Sequence, residues 1–520
     1  MKKFHPIPFF LLSTSMFFFS CGKQDLKMKE PHFSNSSFVT KIRDLNLKRD
    51  FRGVYRGSES SKEDNFLRGW QHWDNERFAK VHIPSSNIQS AQKILKSEKM
   101  TEVIVAVIDS GIDIDHAAFK DRIWENKNEI PYDGIDNDEN GYIDDIHGWN
   151  FLGEVEKENL ELTRKYRRCM NDGLLEGESR QDCFRVEKEF NKKHKKALQN
   201  FNYVSTYSNY FGKEAYNHYY NQVAFHFNPD YNPRKQSIDG LLYDENWGNS
   251  NVLPRRDEES HGTHVAGIIA GRKLKDISIG VNPYAKIMAL RVVPEGDERA
   301  KDVSRAVVYA VDNGARIINM SFGNYENTGQ KELLEAFEYA SEKGVLIVHA
   351  AGNDSLNINK IIHSPSRKGG SEKLINSWIE VGSSTSTIYL NKRDQNYYVN
   401  SSLLPSSFSN YGGNYVDIFA PGSQIYAPVP SGKYASMSGT SMASPLVSGV
   451  ASLLLSYRPE LNAVDLKEIL LESSRKESYD VNLPLRDQSN RLKAVPFGSL
   501  SRTGAVLDAY NAVKYIKERL

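Results

Sequence analysis

Val103-Ile104-Val105-Ala106-Val107-Ile108-Asp109 is an unbroken apolar run closed by an acid. A strand with one wet face alternates apolar and polar residues. A continuous run belongs to a strand covered on both faces, as in a parallel sheet packed between helices. Asp109 then falls at the C-terminal end of that strand, where open α/β sheets place their sites. Arg316-Ile317-Ile318-Asn319-Met320-Ser321-Phe322-Gly323 and the stretch from Gly344 to Gly352 are two further strands ending in glycine. Val265 to Ala270 continues from His261 as a tightly packed helix, and Met442 to Leu455 reads as a second, buried one. Pro445 is tolerated near its start, because a first-turn N–H has no intrahelical acceptor to lose. The fold class expected is α/β.

Four short strings carry chemistry. They are Ile108-Asp109-Ser110-Gly111-Ile112, His261-Gly262-Thr263-His264-Val265-Ala266-Gly267, Ala350-Ala351-Gly352-Asn353 and Gly439-Thr440-Ser441-Met442-Ala443-Ser444-Pro445. Each key residue has a plain structural explanation when taken alone. Asp109 and Asn353 suit turns, His261 suits a packed imidazole, and Ser441 suits a helix N-cap. Taken together, in the order Asp, His, Asn, Ser, the strings resemble the catalytic set of the subtilisin-like serine proteases, or subtilases. The resemblance covers about 90–510, with interruptions. It implies a three-layer fold with a mostly parallel sheet flanked by helices, and an endopeptidase that works through an acyl-enzyme.

The resemblance gives each residue a role. Ser441 is the nucleophile, and His261 is the base that takes its proton. Asp109 fixes the imidazole. The Asn353 amide and the Ser441 backbone N–H donate to the oxyanion. His264 is read as a packed neighbour of the base. In subtilases, segments like Ser321-Phe322-Gly323 pair with the substrate backbone, and Ala350-Ala351-Gly352 lines the pocket for the residue before the cleaved bond. Main-chain pairing supplies affinity without fixing sequence, which suits polypeptide substrates. Phe322 stands where many relatives carry leucine, which implies a narrower neighbouring subsite.

Asp133-Gly134-Ile135-Asp136-Asn137-Asp138-Glu139-Asn140-Gly141-Tyr142-Ile143-Asp144-Asp145 sets oxygen ligands at alternate positions. Counted from Asp136, it follows the first half of an EF-hand loop, but position twelve is His147 and not glutamate. Aspartates crowded this closely repel one another unless a cation sits among them. Many bacterial subtilases resemble this segment and bind calcium there. Asp136, Asp138, Asn140 and Asp144 are the leading ligands expected, with Asp133 and Asp145 behind them. A solvated acidic turn is the alternative.

The chain of 520 residues carries 67 basic and 66 acidic residues, a net charge of +1, which offers no case for a nucleic-acid partner. Lys2 and Lys3 precede an apolar stretch, Ile7 to Phe19, that is too short to span a bilayer. Phe18-Phe19-Ser20-Cys21-Gly22 resembles a bacterial lipoprotein signal, with Cys21 as the lipidated residue. Plain secretion with Cys21 free is the alternative. The organisation expected is a signal peptide at 1–20, a tether or short pro-segment at 21–80, and a peptidase domain at 81–520. An insertion at about 154–250 separates Asp109 from His261 by 152 positions. Its first half is charged and helical. Its second half is rich in tyrosine, which suits an interface or packing onto the domain. An exported compartment permits Cys169 and Cys183 to pair. The reading is therefore an exported, calcium-binding, monomeric serine endopeptidase, held at the membrane by its lipid or released after processing. Its rival is an inactive surface lipoprotein that uses the same scaffold for binding.

Overall fold

The run at 103–109 forms an interior strand of a nine-stranded sheet. The structure, a computed structural model, describes residues 39–41, 67–74, 83–171, 179–234, 247–255, 259–326, 330–361, 363–367, 374–391, 396–486 and 492–519. The expected signal peptide, Cys21 and most of the 21–80 segment lie outside these residues. The strands of the sheet are β1 Val103–Asp109, β2 Gly148–Asn150, β3 Ala285–Arg291, β4 Ile317–Met320 and β5 Leu346–Ala350, then β6 Trp378–Ser384, β7 Ile418–Pro421, β8 Arg475–Lys476 and β9 Ala505–Val506. Their order across the sheet is β8-β9-β7-β6-β5-β4-β1-β3-β2. Every neighbouring pair is parallel except β8 on β9. The chain builds outward from β1 on one side with β2 and β3, then crosses to build β4 to β7 on the other. This reversal opens a crevice at the C-terminal end of β1.

The helices are α1 Ile88–Leu95, α2 Glu161–Asn171, α3 Arg180–Thr206, α4 Ser208–Asn221 and α5 His261–Ala270, followed by α6 Ala300–Asp312, α7 Gln330–Glu342, α8 Thr440–Tyr457, α9 Ala463–Glu472 and α10 Ala509–Arg519. Side chains alternate across β1. Val105 and Val107 join a core cluster with α1, α5, α8, α9 and α10, while Ala106 and Ile108 join a second with α6 and α7. The three expected layers follow from this alternation, since a strand covered on both faces must be apolar at every position. Every residue from Thr440 to Ser456 is buried, so α8 runs through the interior. Its hydroxyls are satisfied there: Ser448 Oγ donates to Asn319 Oδ1 at 2.8 Å, and Asn282 Nδ2 donates to Ser452 and Ser456, each at 3.0 Å.

Ile388–Asn391 and Asn396–Asn400 pair as antiparallel strands, and Val39–Lys41 pairs with the second of them. Leu67, Trp70 and Trp73 are buried in the same cluster as α1 and α5, although they precede residue 81. The two tryptophans account for this, because each hides a large apolar surface. Between β2 and α5, helices α2 and α3 and the segment that follows α4 share a small core of their own around Leu160, Leu162, Phe190, Ala197 and Phe227. A Cys169–Cys183 disulfide, with Cα atoms 5.5 Å apart, ties α2 to α3. Tyr203, Tyr207, Tyr210 and Tyr220 are exposed, and Tyr220 stacks on Tyr216. Among the described residues, no helix is long and apolar enough to cross a membrane.

Candidate active site

Asp109 ends β1 and is 1% exposed; His261 opens α5. The His261 Nδ1–H donates to Asp109 Oδ1 at 2.7 Å. A carboxylate only accepts, so the proton sits on Nδ1 and Nε2 is left as the basic nitrogen. The same Asp109 oxygen accepts the Ser110 N–H at 2.7 Å, and Ser110 Oγ accepts the Gly262 N–H at 3.0 Å. These bonds clamp the end of β1 to the start of α5. Gly262 is needed for that contact, because a Cβ there would lie 2.6 Å from the Ser110 carbonyl oxygen. His264 faces the other way. It is fully buried, its Nε2 bonds the Ile425 and Ala435 carbonyls at 3.0 and 3.1 Å, and burial lowers its pKa to about 3. A ring held neutral and spent on two carbonyls is a structural neighbour, as the sequence suggested.

Ser441 is the second residue of α8, which packs against α5. Its backbone N–H belongs to the first helical turn, where donors lack intrahelical acceptors and carry the positive end of the helix dipole. Its Oγ donates to the Ser321 carbonyl at 3.1 Å. Ser321 Oγ lies beneath, 3.2 Å from the Ser441 carbonyl oxygen and 2.9 Å from Ser444 Oγ. Asn353 follows β5 after Gly352, whose φ of +99° suits only glycine. The Asn353 Oδ1 accepts both the N–H and the hydroxyl of Thr440, at 2.8 and 3.0 Å. An N–H cannot accept, so the Asn353 oxygen is fixed toward Thr440, and its Nδ2 amide is the end left to donate. Thr440 is thus the orienting partner of Asn353, a role the sequence did not reveal. The structure joins Asp109 to His261, and joins Ser441 to Ser321 and, through Thr440, to Asn353.

Ala350 and Ala351 are nearly buried at the C-terminal end of β5, and Ser321-Phe322-Gly323 leaves the end of β4 beside them. Phe322 is 2% exposed and packs into the α6–α7 cluster. Its carbonyl accepts from His349 Nε2 at 2.8 Å, and His349 Nδ1 is 2.9 Å from Glu380 Oε1. Burial alone would lower the pKa of His349, but Glu380 outweighs it and holds the pKa above its usual value.

The acidic loop contains three carboxylates, on Glu129, Asp138 and Asp145, whose oxygens all lie within 4.8 Å of one another. Glu129 was not singled out in the sequence, because it precedes the ligand-rich string. It accepts the Asn137, Asp138 and Asp144 amides at 2.8, 3.2 and 3.0 Å. Burial raises the pKa of both Glu129 and Asp145. Asp136 holds the Asn140 and Gly141 amides, Asp144 the Asp133 and Gly134 amides, and Asp133 the Ile135 amide. Asn140 Nδ2 donates to Asp145 at 3.0 Å. Clustered, partly buried oxygens of this kind suit a hard cation.

Helix α2 reaches this side of the molecule. Arg164 ion-pairs with Glu161 at 2.6 Å and donates to the carbonyls of Asp297 and Glu298, at 3.0 and 2.9 Å. Glu158, fully buried, pairs with Arg299 and Arg234 at 2.9 and 3.3 Å. Burial alone would raise Glu158, yet Arg299, Arg164 and Arg234 hold it below its usual value. The segment 295–299 is therefore fastened to the stretch that precedes α2.

A family model described as the subtilase family (peptidase S8) matches residues 100–493. Thermitase of Thermoactinomyces vulgaris is 39% identical over 198 residues, which are 38% of this chain and 61% of thermitase. The thermophilic serine proteinase of Bacillus sp. (strain AK1) is 35% identical over 224 residues, 43% of this chain and 48% of that protein. The chain thus spans about half to three fifths of the length of these relatives. Among solved structures, a cold adapted subtilisin-like serine proteinase aligns at 21% identity with a TM-score of 0.41, covering 76% of this chain and 89% of that one. Because the family match runs from the strand that carries Asp109 past the helix that carries Ser441, the chain belongs to the subtilase family.

Proposed function

We propose that the protein is a serine endopeptidase. The observation that carries this reading is the Asp109–His261 hydrogen bond at 2.7 Å, with His261 on a helix packed against the one that presents Ser441. His261 Nε2 accepts the Ser441 proton as Oγ turns from the Ser321 carbonyl and bonds to the scissile carbon. The oxyanion that forms is held by the Ser441 N–H and Asn353 Nδ2. His261 then passes the proton to the leaving amine as the C–N bond breaks. Water repeats the sequence on the acyl-enzyme and releases the acid. Ser321 to Gly323 and Ala350 to Gly352 offer backbone for an extended polypeptide, with Asp109 stabilising the imidazolium throughout.

Calcium is the cation that best suits the acidic loop. Glu129, Asp138 and Asp145 would hold it, with Asp136, Asn140, Asp144 and Asp133 shaping the loop around them. The bound ion would neutralise carboxylates that otherwise repel one another. We further propose export, lipidation at Cys21, and a peptidase domain that carries 154–250 as an insertion and acts as a monomer. Lipid mass on the N-terminal peptide of envelope-purified protein tests the anchor, and an unmodified Cys21 there would count against it.

A fluorophosphonate should label the purified protein at Ser441. Ser441→Ala, His261→Ala and Asp109→Ala should each lower peptide cleavage by several orders of magnitude, and double variants should be little worse than singles. Undiminished cleavage by Ser441→Ala would overturn the assignment.

A further inference from the structure

Helix α3 turns Phe190, Ala197 and Val204, each seven residues from the next, into the protein. At about 3.6 residues per turn, Phe184, Lys188, Lys195 and Leu198 project from the opposite side, with Lys192 beside them. Phe184 is 66% exposed, and Leu198 and the three lysines are exposed as well. Arg185 and Lys193 of the same helix ion-pair with Asp182 and Glu189. Lys188, Lys192 and Lys195 have no acidic partner among the described residues. The stripe ends in an aromatic knob where α3 meets α4. Tyr203 and Tyr207 are exposed there, Tyr210 is 84% exposed, and the Phe211 ring lies 5.6 and 5.1 Å from those of Tyr203 and Tyr210.

Charge and shape together specify the occupant. Five lysines and one acid lie between Lys188 and Lys196, in a chain whose net charge is only +1. Positive charge gathered on one element calls for an anionic counterpart. Lysines alone would be a solvated face, but these are interleaved with Phe184 and Leu198 and end in tyrosines. Phe184 and Leu198 stand about 21 Å apart along the helix, too far to form the contiguous apolar patch that a protein partner covers. A bilayer surface accepts that spacing. Apolar and aromatic tips enter its interfacial layer one at a time, while lysines lay their stems along it and keep their heads among the phosphates. We propose that the outer face of α3, with the knob at its end, is a docking surface for an anionic phospholipid bilayer. This role goes beyond peptide cleavage and does not depend on it. It also differs from the anchor proposed at Cys21, which would tie one end of the chain and leave the domain free to turn. A stripe about 30 Å long lying on the bilayer would fix the face that the domain presents to it.

Sedimentation with sucrose-loaded vesicles tests this on the full chain carrying Cys21→Ser and Ser441→Ala, which removes the proposed lipidation site and self-cleavage. Residues 1–20 are common to every variant, so their contribution cancels in the comparison. Phosphatidylcholine vesicles with about a third phosphatidylglycerol should bind at least about tenfold more tightly than phosphatidylcholine alone, and the preference should shrink as salt is raised. Lys188→Gln, Lys192→Gln and Lys195→Gln made together should remove most of that preference. Tyr207→Ser with Tyr210→Ser should weaken binding to both kinds of vesicle several-fold and leave the preference in place. All five residues are exposed, so the melting temperature should stay at the parent's value. Vesicle binding that neither set of changes alters, in proteins of unchanged melting temperature, would overturn the proposal. If soluble polyglutamate binds the parent as tightly as the anionic vesicles do, and the tyrosine variants lose nothing, the face takes an acidic polypeptide and the membrane assignment fails. Either failure leaves the peptidase reading intact, because that reading is decided by fluorophosphonate labelling of Ser441 in the parent chain.

Discussion

Glu298 is the residue whose cost to the fold is clearest. Its folded pKa is about 7, whereas the unfolded chain titrates it near 4.5. Between those values the folded state holds a proton that the unfolded state has released. The associated stability is complete below pH 4.5 and is lost as pH rises through 7. Glutamine cannot ionise. The melting temperature of Glu298→Gln, taken relative to the parent, should therefore be higher at pH 8.5 than at pH 5 by a few degrees. Scanning fluorimetry at the two values decides the matter, and a difference indifferent to pH would refute the buried carboxylate. Asn353 contrasts with it: its orientation is fixed by Thr440, and if it is the proposed oxyanion donor, its loss should cost on the order of 10²–10³ in turnover, a magnitude drawn from a member of this family. The four strings were legible because each is local and each places a reactive residue beside small neighbours. Gly262, which lets α5 close on Ser110, sits directly beside His261 in the chain. Glu298 was not legible, because Glu161 and Asn324 lie far from it in sequence and only the fold brings them to one cavity.

Helix α2 illustrates the same division among elements. Strands β1, β4 and β5 and helices α5 and α8 were readable from apolar runs, since a segment buried on every side needs no partner to declare itself. The charged helices of 154–250 declared their helicity but not their target. The contact of α2 and the stretch before it with 295–299 runs through ion pairs such as Glu158–Arg299, which no periodicity reports. The disulfide that ties α2 to α3 steadies this contact from the far end of α2. It closes a loop with a sequence separation of 14, for which the chain-entropy model gives about 3 kcal/mol. Replacing Cys169 and Cys183 together by serine should lower the melting temperature. If α2 shapes the substrate cleft, the exchange should also raise KM more than it lowers kcat, because Glu161 and Arg164 hold the segment that carries Glu298. An unaltered KM in a destabilised protein would confine the disulfide to a purely structural role.

For the molecule as a whole, the acidic loop offers the plainest external control. A cation bound only by the folded chain stabilises by mass action, by about 2.7 kcal/mol at a hundred times its Kd. Chelation should lower the melting temperature and hasten self-digestion, and Glu129→Gln should reproduce part of that loss. An unchanged melting temperature under strong chelation, with no metal found by elemental analysis, would remove calcium from the account. The interior course of α8 matters for the same property. A helix with no solvent-facing side cannot fray alone, so its amide hydrogens exchange only when the surrounding layers part. If Ser441 is the nucleophile, as proposed, it is either fully presented or lost with the fold in each molecule. A peptidase built this way offers its copies no half-open, still-active intermediate to cut, and its working lifetime is set by how often the whole domain comes apart.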